Sequence, residues 1–339
     1  MLISVVVPTR DRPQDLQKLL ASLLQQTRLP DQLIVVDQSH GGESHALAKD
    51  SMGAQLWERC TYVHNSSIRG VSAARNVGIR AADADVVIFL DDDVVLTADC
   101  LESMESAFVA NPGYTGIGGV ELQMEHSALS YILYYDIFFV GPFRDRKYRI
   151  SRNWRRLQGI QPVTGLKTCL AGFRREFLAR HRFDERWRSA LLEDIDLCWE
   201  VRGGEKKERF GIWPRAGAWH NFSEARSVGG ARYQAAAAAW IFFMRKHVLT
   251  HWSLLPAFAW LSVGLLVNAA RRSVTSRSIA PIAGLIRGWR SLFDPSLALP
   301  YIDMSADPVS SQAINPGSGE PGCAACLRAA APRPAPRQL

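Results

Sequence analysis

The chain has 339 residues, 47% of them hydrophobic, enough for one large α/β domain, an appendage and a sizeable core. Its net charge of +7 suits an anionic ligand or an anionic membrane surface, and no nucleic-acid-binding motif accompanies that charge, which argues against a nucleic-acid partner. Six cysteines (Cys60, Cys100, Cys169, Cys198, Cys323 and Cys326) are too scattered for a disulfide framework, so a reducing compartment is expected.

The chain enters a strand at residues 3–7, closed by Pro8, without the basic start, apolar core and cleavage site of a signal peptide. Synthesis in the cytosol is expected. Asp11 and Pro13 then mark a helix start, with Leu16, Leu19, Leu20, Leu23 and Leu24 at helical spacing. Residues 33–36 form a second buried strand ended by Asp37, and residues 61–63 a weaker third. Gly70 and Ser72 open a helix through Ala73, Val77, Ile79 and Ala82. A fourth strand, VVIFL at 86–90, stops in Asp91, Asp92 and Asp93. This rhythm predicts an α/β fold with a mostly parallel sheet and helices on both faces.

In such a sheet the loop 8–12, the loop at Asp37, the segment 65–75 and the three aspartates all follow the carboxyl ends of strands, where ligands bind. That edge collects carboxylates (Asp37, Asp91, Asp93) and cations (Arg10, Arg12, Arg69, Arg75). Side chains alternate along an extended segment, so Asp91 and Asp93 converge while Asp92 points away. A solvated acidic turn is the bland reading of such a cluster. A nucleoside diphosphate with a divalent metal needs both signs in one place: carboxylates for metal and ribose, guanidinium and amide donors for phosphate. Neither a Gly-x-Gly-x-x-Gly fingerprint nor a Walker lysine loop follows the first strand, against the commonest dinucleotide and ATPase readings.

Residues 130–140 (SYILYYDIFFV) are apolar and aromatic and precede a basic run at 144–156. They read equally as a core element with a surface loop or as an acceptor-side lip at lipid headgroups. Glu193, Asp194 and Asp196 read alone as an acidic helix N-terminus. Residues 233–244 look helical and lead into Arg245-Lys246-His247. Residues 252–270 are 19 nearly continuous apolar positions ending in Arg271-Arg272, close to the ~20 that a spanning helix needs. Pro256, Ser262 and Asn268 weaken a full crossing, whereas Trp252, Trp260 and the basic flanks favour attachment at the interface. With the amphipathic stretch 281–293, residues 231–295 are expected to be a helical membrane-associated appendage. The tail 305–339 lacks periodicity and is expected to be disordered. Cys323-Ala-Ala-Cys326, within it, has no second pair and is not read as a metal site.

VVVPTRDRP, IVVDQS, RGVSAARNVGIR and VVIFLDDD, followed by LAGFRREFL, RFDERW, LLEDIDLCWEV and PRAGAWH, resemble the family 2 inverting glycosyltransferases, nucleotide-diphospho-sugar transferases of the GT-A fold. The resemblance covers residues 1–225, with nucleotide-sugar binding in about 1–110 and the acceptor and catalytic part in about 111–225. It implies that Thr9, with Arg10 beside it, lines the nucleotide pocket, that Asp37 contacts the base or ribose, and that Arg75 and Asn76 lie near the donor. Asp91 would touch ribose or metal-bound water, with Asp92 counted in the same site, and Asp93 would bind Mn2+ or Mg2+ under the pyrophosphate. Glu193 and Asp194 match the catalytic pair, Asp194 as general base. Leu191-Leu192 replace the glycine or aromatic often found before that pair. His220 matches a histidine near the phosphates or metal, a satisfied structural histidine being the equal alternative.

The implied function is metal-dependent inverting transfer of a sugar to a hydroxyl acceptor, for example a lipid-linked glycan, at the cytoplasmic face of the cell membrane in cell-surface glycan or glycolipid assembly. A processive synthase would show several spans and a Gln-x-x-Arg-Trp motif. A sugar-phosphate nucleotidyltransferase would carry a glycine-rich loop where this chain has Pro8-Thr9-Arg10. A catalytically degenerate membrane-bound interaction protein is the non-enzymatic alternative.

Overall fold

The computed structural model describes residues 1–187, 191–201, 208–221 and 230–293. The tail 305–339 and Cys323-Ala-Ala-Cys326 lie outside the described residues. The first half runs β1 (Ile3–Thr9), α1 (Pro13–Leu24), β2 (Gln32–Asp37), α2 (Glu43–Trp57), β3 (Cys60–His64), α3 (Val71–Ala81), β4 (Val86–Leu90), β5 (Val94–Leu96), α4 (Cys100–Ala110) and β6 (Gly116–Glu121). It continues through α5 (Leu129–Phe138), α6 (Lys147–Arg152), β7 (Gln161–Val163), β8 (Leu170–Arg174), α7 (Arg175–Arg180), α8 (Glu193–Trp199) and β9 (Phe210–His220). Three helices follow: α9 (Gly230–Phe243), α10 (Leu255–Thr275) and α11 (Ala280–Trp289).

One sheet has the order β3-β2-β1-β4-β8-β6-β9-β5, with β7 added on β9. β3, β2, β1 and β4 are parallel, as the alternating pattern predicts. β1 and β4 are buried along their whole length, which is why their sequences are unbroken apolar runs. Beyond β4 the sheet is mixed, because β8 runs antiparallel to both β4 and β6. Only the three aspartates separate β4 from β5, too few for the crossover a parallel neighbour requires. β5 therefore leaves β4 and pairs with β9 at the far edge.

The leucine stripe of α1 buries Leu16, Leu19, Leu20 and Leu23 behind a Pro in the first turn. α2 has no counterpart in the sequence reading. Its buried positions, Ser44, Ala48, Met52 and Leu56, are few and small, and Gly53 (φ +59°) kinks it. The basic run 144–156 is more than a surface loop: it contains α6, which buries Lys147, Ile150 and Ser151.

α10 is 21 residues long and runs past Arg271-Arg272 to Thr275, and Pro256 sits in its first turn, where it starts a helix rather than breaking one. An aromatic and aliphatic cluster containing Phe139, Phe143, Trp187, Trp199, Phe243 and Phe258 joins α5, α8, α9 and α10. Within it Phe143 stacks on Trp199 at 5.1 Å. Behind α9, in the π-turn 244–248, Lys246 Nζ lies 2.9, 2.7 and 2.6 Å from Asp184, Asp196 and Glu200, and His247 Nε2 lies 2.7 Å from Asp196. The C-terminal helices thus share both an apolar core and an ion network with α8.

α9 and α11 approach so closely that a Cβ on Gly284 would sit 2.0 Å from the Gly230 carbonyl oxygen, and one on Gly288 2.4 Å from that of Gln234. Gly284→Leu should therefore overpack this contact at a cost of about 1–3 kcal/mol. A lowered thermal midpoint is the expected readout; an unchanged one would mean that the two helices do not pack this way.

Candidate active site

The turn after β4 is organised by burial and charge. Asp92 points away from the ligand face, as alternation predicts, and accepts a hydrogen bond from Thr9 Oγ1 at 2.8 Å and one from Arg12 Nη1 at 3.3 Å. Burial pushes its carboxyl up to about 7, with Arg12 opposing and Asp93 adding to the rise. Asp92 therefore secures the loop after β1. Arg12 Nη1 also lies 3.7 Å from Asp93 Oδ2.

Asp91 and Asp93 converge with His220, which the last residue of β9 delivers opposite Val94. Ligand atoms of the three lie within 4.8 Å of one another. His220 Nε2 is 2.9 Å from Asp93 Oδ1 and 3.9 Å from Asp91 Oδ2, while Nδ1 is 3.7 Å from Glu121 Oε2. Burial lowers the imidazole, but its contacts with Asp93, Cys169 and Glu121 carry it up to about 12. Glu121 is buried at the end of β6, which alone would raise it; Lys167 Nζ at 2.6 Å and His220 outweigh burial and hold it well below the usual carboxylate range. Two carboxylates and an imidazole at this spacing fit a divalent cation. Another acidic group, Asp184, Asp196 and Glu200, is occupied by Lys246, with Arg186 on Asp184 and His247 on Asp196.

Arg75 is 1% exposed. Its Nη2 lies 2.9 Å from Asp91 and its Nη1 2.6 Å from Glu193, so one guanidinium joins the turn after β4 to the start of α8. Burial and the neighbouring Asp194 push the Glu193 carboxyl up, and Arg75 opposes both. Glu193 is thereby committed to an internal ion pair. Leu192, just before it, adopts a left-handed backbone (φ +67°, ψ 0°), uncommon for a side-chain-bearing residue and characteristic of functional turns. That turn sends Glu193 inward. Asp194, half-buried, accepts hydrogen bonds from the backbone N–H groups of Ile195 (2.7 Å) and Thr168 (3.4 Å) and lines the cleft.

The remaining candidate residues are placed as follows. Thr9 and Asp37 are partners in the β1–β2 register, side by side on the carboxyl edge. Asp37 is fully buried and accepts from the Ser39 N–H at 2.9 Å and the Tyr62 hydroxyl at 2.8 Å. Arg10 lies in the loop after β1, 3.4 Å from Asp11. Asn76 does not join the cluster. Its amide donates to the Phe183 carbonyl (2.8 Å) and Glu185 (2.9 Å) and accepts from the Phe183 N–H (3.1 Å), clipping that segment to α3.

A cleft of about 560 Å³ opens from this cluster. Arg75, Asp91, Glu193, Asp194 and His220 line one end; Thr9, Arg10, Asp37, Asn76, Asp92 and Asp93 do not line it. Its walls include Tyr131, Tyr134, Tyr135, Phe139 and Trp240. Glu121, Lys167, Thr168 and Cys169 also border it and were not singled out by sequence reasoning, because they carry no motif and only the fold brings Glu121 and Cys169 beside His220.

Residues 4–181, just over half of the chain, match the family model "Glycosyl transferase family 2". The chain belongs to that family. The stretches quoted from the sequence therefore pointed to the right family. Its relatives include an uncharacterized glycosyltransferase of Haemophilus influenzae, 29% identical over 111 residues, 33% of this chain and 36% of that protein. An O-antigen chain rhamnosyltransferase of Salmonella typhimurium is 28% identical over 124 residues, 36% of this chain and 38% of its own length. The similarity thus spans little more than a third of these curated relatives. Among solved structures, a mannosyltransferase from Pyrobaculum calidifontis in complex with GDP-Man and Mn2+ is similar with a TM-score of 0.54 at 17% identity, covering 86% of this chain and 81% of that one. The fold of this family 2 chain is the expected α/β GT-A arrangement, a mixed sheet with flanking helices.

Removing the guanidinium would leave two carboxylates without their shared cation. Arg75→Met should cost about 3–5 kcal/mol in urea unfolding, and Arg75→Met/Glu193→Leu should recover part of it. A single variant as stable as the wild-type chain would show that this ion pair does not join the two segments.

Proposed function

We propose that the chain is a metal-dependent, inverting glycosyltransferase that moves a sugar from a nucleotide-diphospho-sugar to a hydroxyl acceptor at a membrane surface. One observation carries this reading: Asp194 opens into the same cleft as Asp91 and His220, while Thr9 and Asp37 stand outside it on the neighbouring strand ends. A base and a cation site thus face one reacting centre, with a separate place for a nucleotide.

In this reading Asp194 accepts the proton of the attacking hydroxyl, a role that contributes about 10²–10⁴-fold. Asp91, Asp93 and His220 would hold Mn2+ or Mg2+, which when bound supplies positive charge to the departing nucleoside diphosphate. Arg75 keeps Glu193 ionically occupied and so leaves Asp194 as the free carboxylate of the pair. Thr9 and Arg12 fix Asp92 and with it the backbone that aims Asp91 and Asp93. The Mn2+ and GDP-Man of the mannosyltransferase and the surface glycan named for the rhamnosyltransferase are consistent with this assignment.

Attachment to a membrane surface is supported by an apolar surface on two helices. Residues Trp252–Thr275 are long and apolar enough to cross a membrane, yet Trp260, Val263 and Val267 remain exposed on one side of α10. Leu129, Leu133 and Ile137, at i, i+4 and i+8 of α5, are exposed too. Trp260 Nε1 donates to the Ile137 carbonyl at 2.7 Å, and its ring lies 5.5 Å from that of Phe138, so the exposed stripes adjoin. A patch of this kind suits an interfacial helix pair.

Asp93→Asn should abolish the Mn2+-dependent part of nucleoside diphosphate binding in calorimetry. Asp194→Asn should bind the nucleotide as wild type does while transfer falls about 10²-fold or more. Equal loss of nucleotide binding in both variants would remove Asp194 from the role of base, and retention of anomeric configuration would reject inverting transfer. On the membrane side, Val263→Glu/Val267→Glu should release the protein from sedimenting vesicles; unchanged sedimentation would place the attachment elsewhere.

A further inference from the structure

The cleft does not end at the transfer centre. It extends away from the nucleotide side to α9 and α10, where Arg232, Arg271 and Arg272 line it. Tyr233, beside Arg232 in α9, lines it too. Each of the three arginines is exposed, and none forms an ion pair with a carboxylate among the described residues. Arg75 and Arg12, by contrast, each pair with two carboxylates. Three like charges lining one cleft without a carboxylate partner make that end of it attractive to an anion. The wall between them and Asp194 is aromatic, with Tyr134 and Trp240 on it. Val267, one helical turn before Arg271, belongs to the exposed apolar stripe of α10.

We infer that Arg232, Arg271 and Arg272 form a phosphate subsite at the outer end of the acceptor cleft, for an amphipathic acceptor whose phosphate lies between its hydroxyl-bearing head and an apolar chain. This rests on the transferase reading and deepens it. The head reaches Asp194 through the aromatic stretch, the phosphate is held by the arginines, and the chain leaves along the apolar side of α10. Charge complementarity selects the phosphate, and the adjoining apolar stripe selects a chain over a free sugar phosphate. Arginine suits the task, since its planar fork pairs with two phosphate oxygens at once.

The test uses the full-length protein and hexyl phosphate, with hexanol and inorganic phosphate as controls, by titration calorimetry. Hexyl phosphate should bind at least about tenfold more tightly than either control, and Arg232→Gln/Arg271→Gln/Arg272→Gln should weaken it about tenfold or more. Asn268→Phe, which narrows the cleft without altering an arginine, should weaken it as well. Equal binding of hexyl phosphate and hexanol would overturn the inference, as would tight binding that survives Asn268→Phe. If the triple variant loses sedimentation with phosphatidylglycerol vesicles but keeps hexyl phosphate binding, the arginines read membrane headgroups and the inference is wrong. Nucleoside diphosphate binding in the presence of Mn2+ reports separately: it should be the same in the triple variant and wild type, which shows that the variant is folded. Its absence from the wild-type protein would overturn the transferase reading, while hexyl phosphate would still decide the anion site.

Discussion

The site depends on one buried guanidinium. Arg75 comes from α3, between β3 and β4, yet it holds Asp91 from the turn after β4 and Glu193 from a helix more than a hundred residues later. Isolated buried charges are costly, and such groups are tolerated only when paired and hydrogen-bonded. The pairing dictates where α8 begins relative to the sheet, and hence where Asp194 stands. Both carboxylates of the pair line the cleft, and Glu193 is the one held by Arg75.

A second layer of charge carries the same constraint outward. Asp196, two residues beyond Asp194, is fully buried and held by Lys246 and His247 from the turn after α9. The C-terminal helices are therefore fastened to the helix that bears Asp194, by ions on one side and by the Phe143–Trp199–Phe243 cluster on the other. The cleft is lined jointly by the sheet edge and these helices. These helices thereby supply one wall of the cleft.

Much of this was legible from local pattern. The parallel strands announce themselves as unbroken apolar runs, α1 by its leucine spacing, and the carboxylate turn by its position after β4. Alternation correctly separated Asp92 from Asp91 and Asp93. Other features depend on distant partners and leave no local trace. Asn76 lies next to Arg75 in sequence, but helical rotation turns it to Phe183 and Glu185 instead of the cluster. Glu121, Lys167 and Cys169 carry no motif; they meet His220 only because β6 and β9 are neighbours and β8 lies beside β6. α2 was missed because small buried residues and a kinking glycine erase its period, and Pro256 looked like a breaker because its place in the first turn of α10 is a matter of helix boundary.

The central claim is that Asp91, Asp93 and His220 form a cation site facing the same reaction centre as Asp194. Crystals grown with Mn2+ and a nucleoside diphosphate, measured at the manganese absorption edge, test it directly. The account predicts an anomalous peak within coordination distance of Asp93, bounded by Asp91 and His220, with the diphosphate against it. A peak at another cluster, or a bound nucleotide with no peak between these three residues, would contradict it.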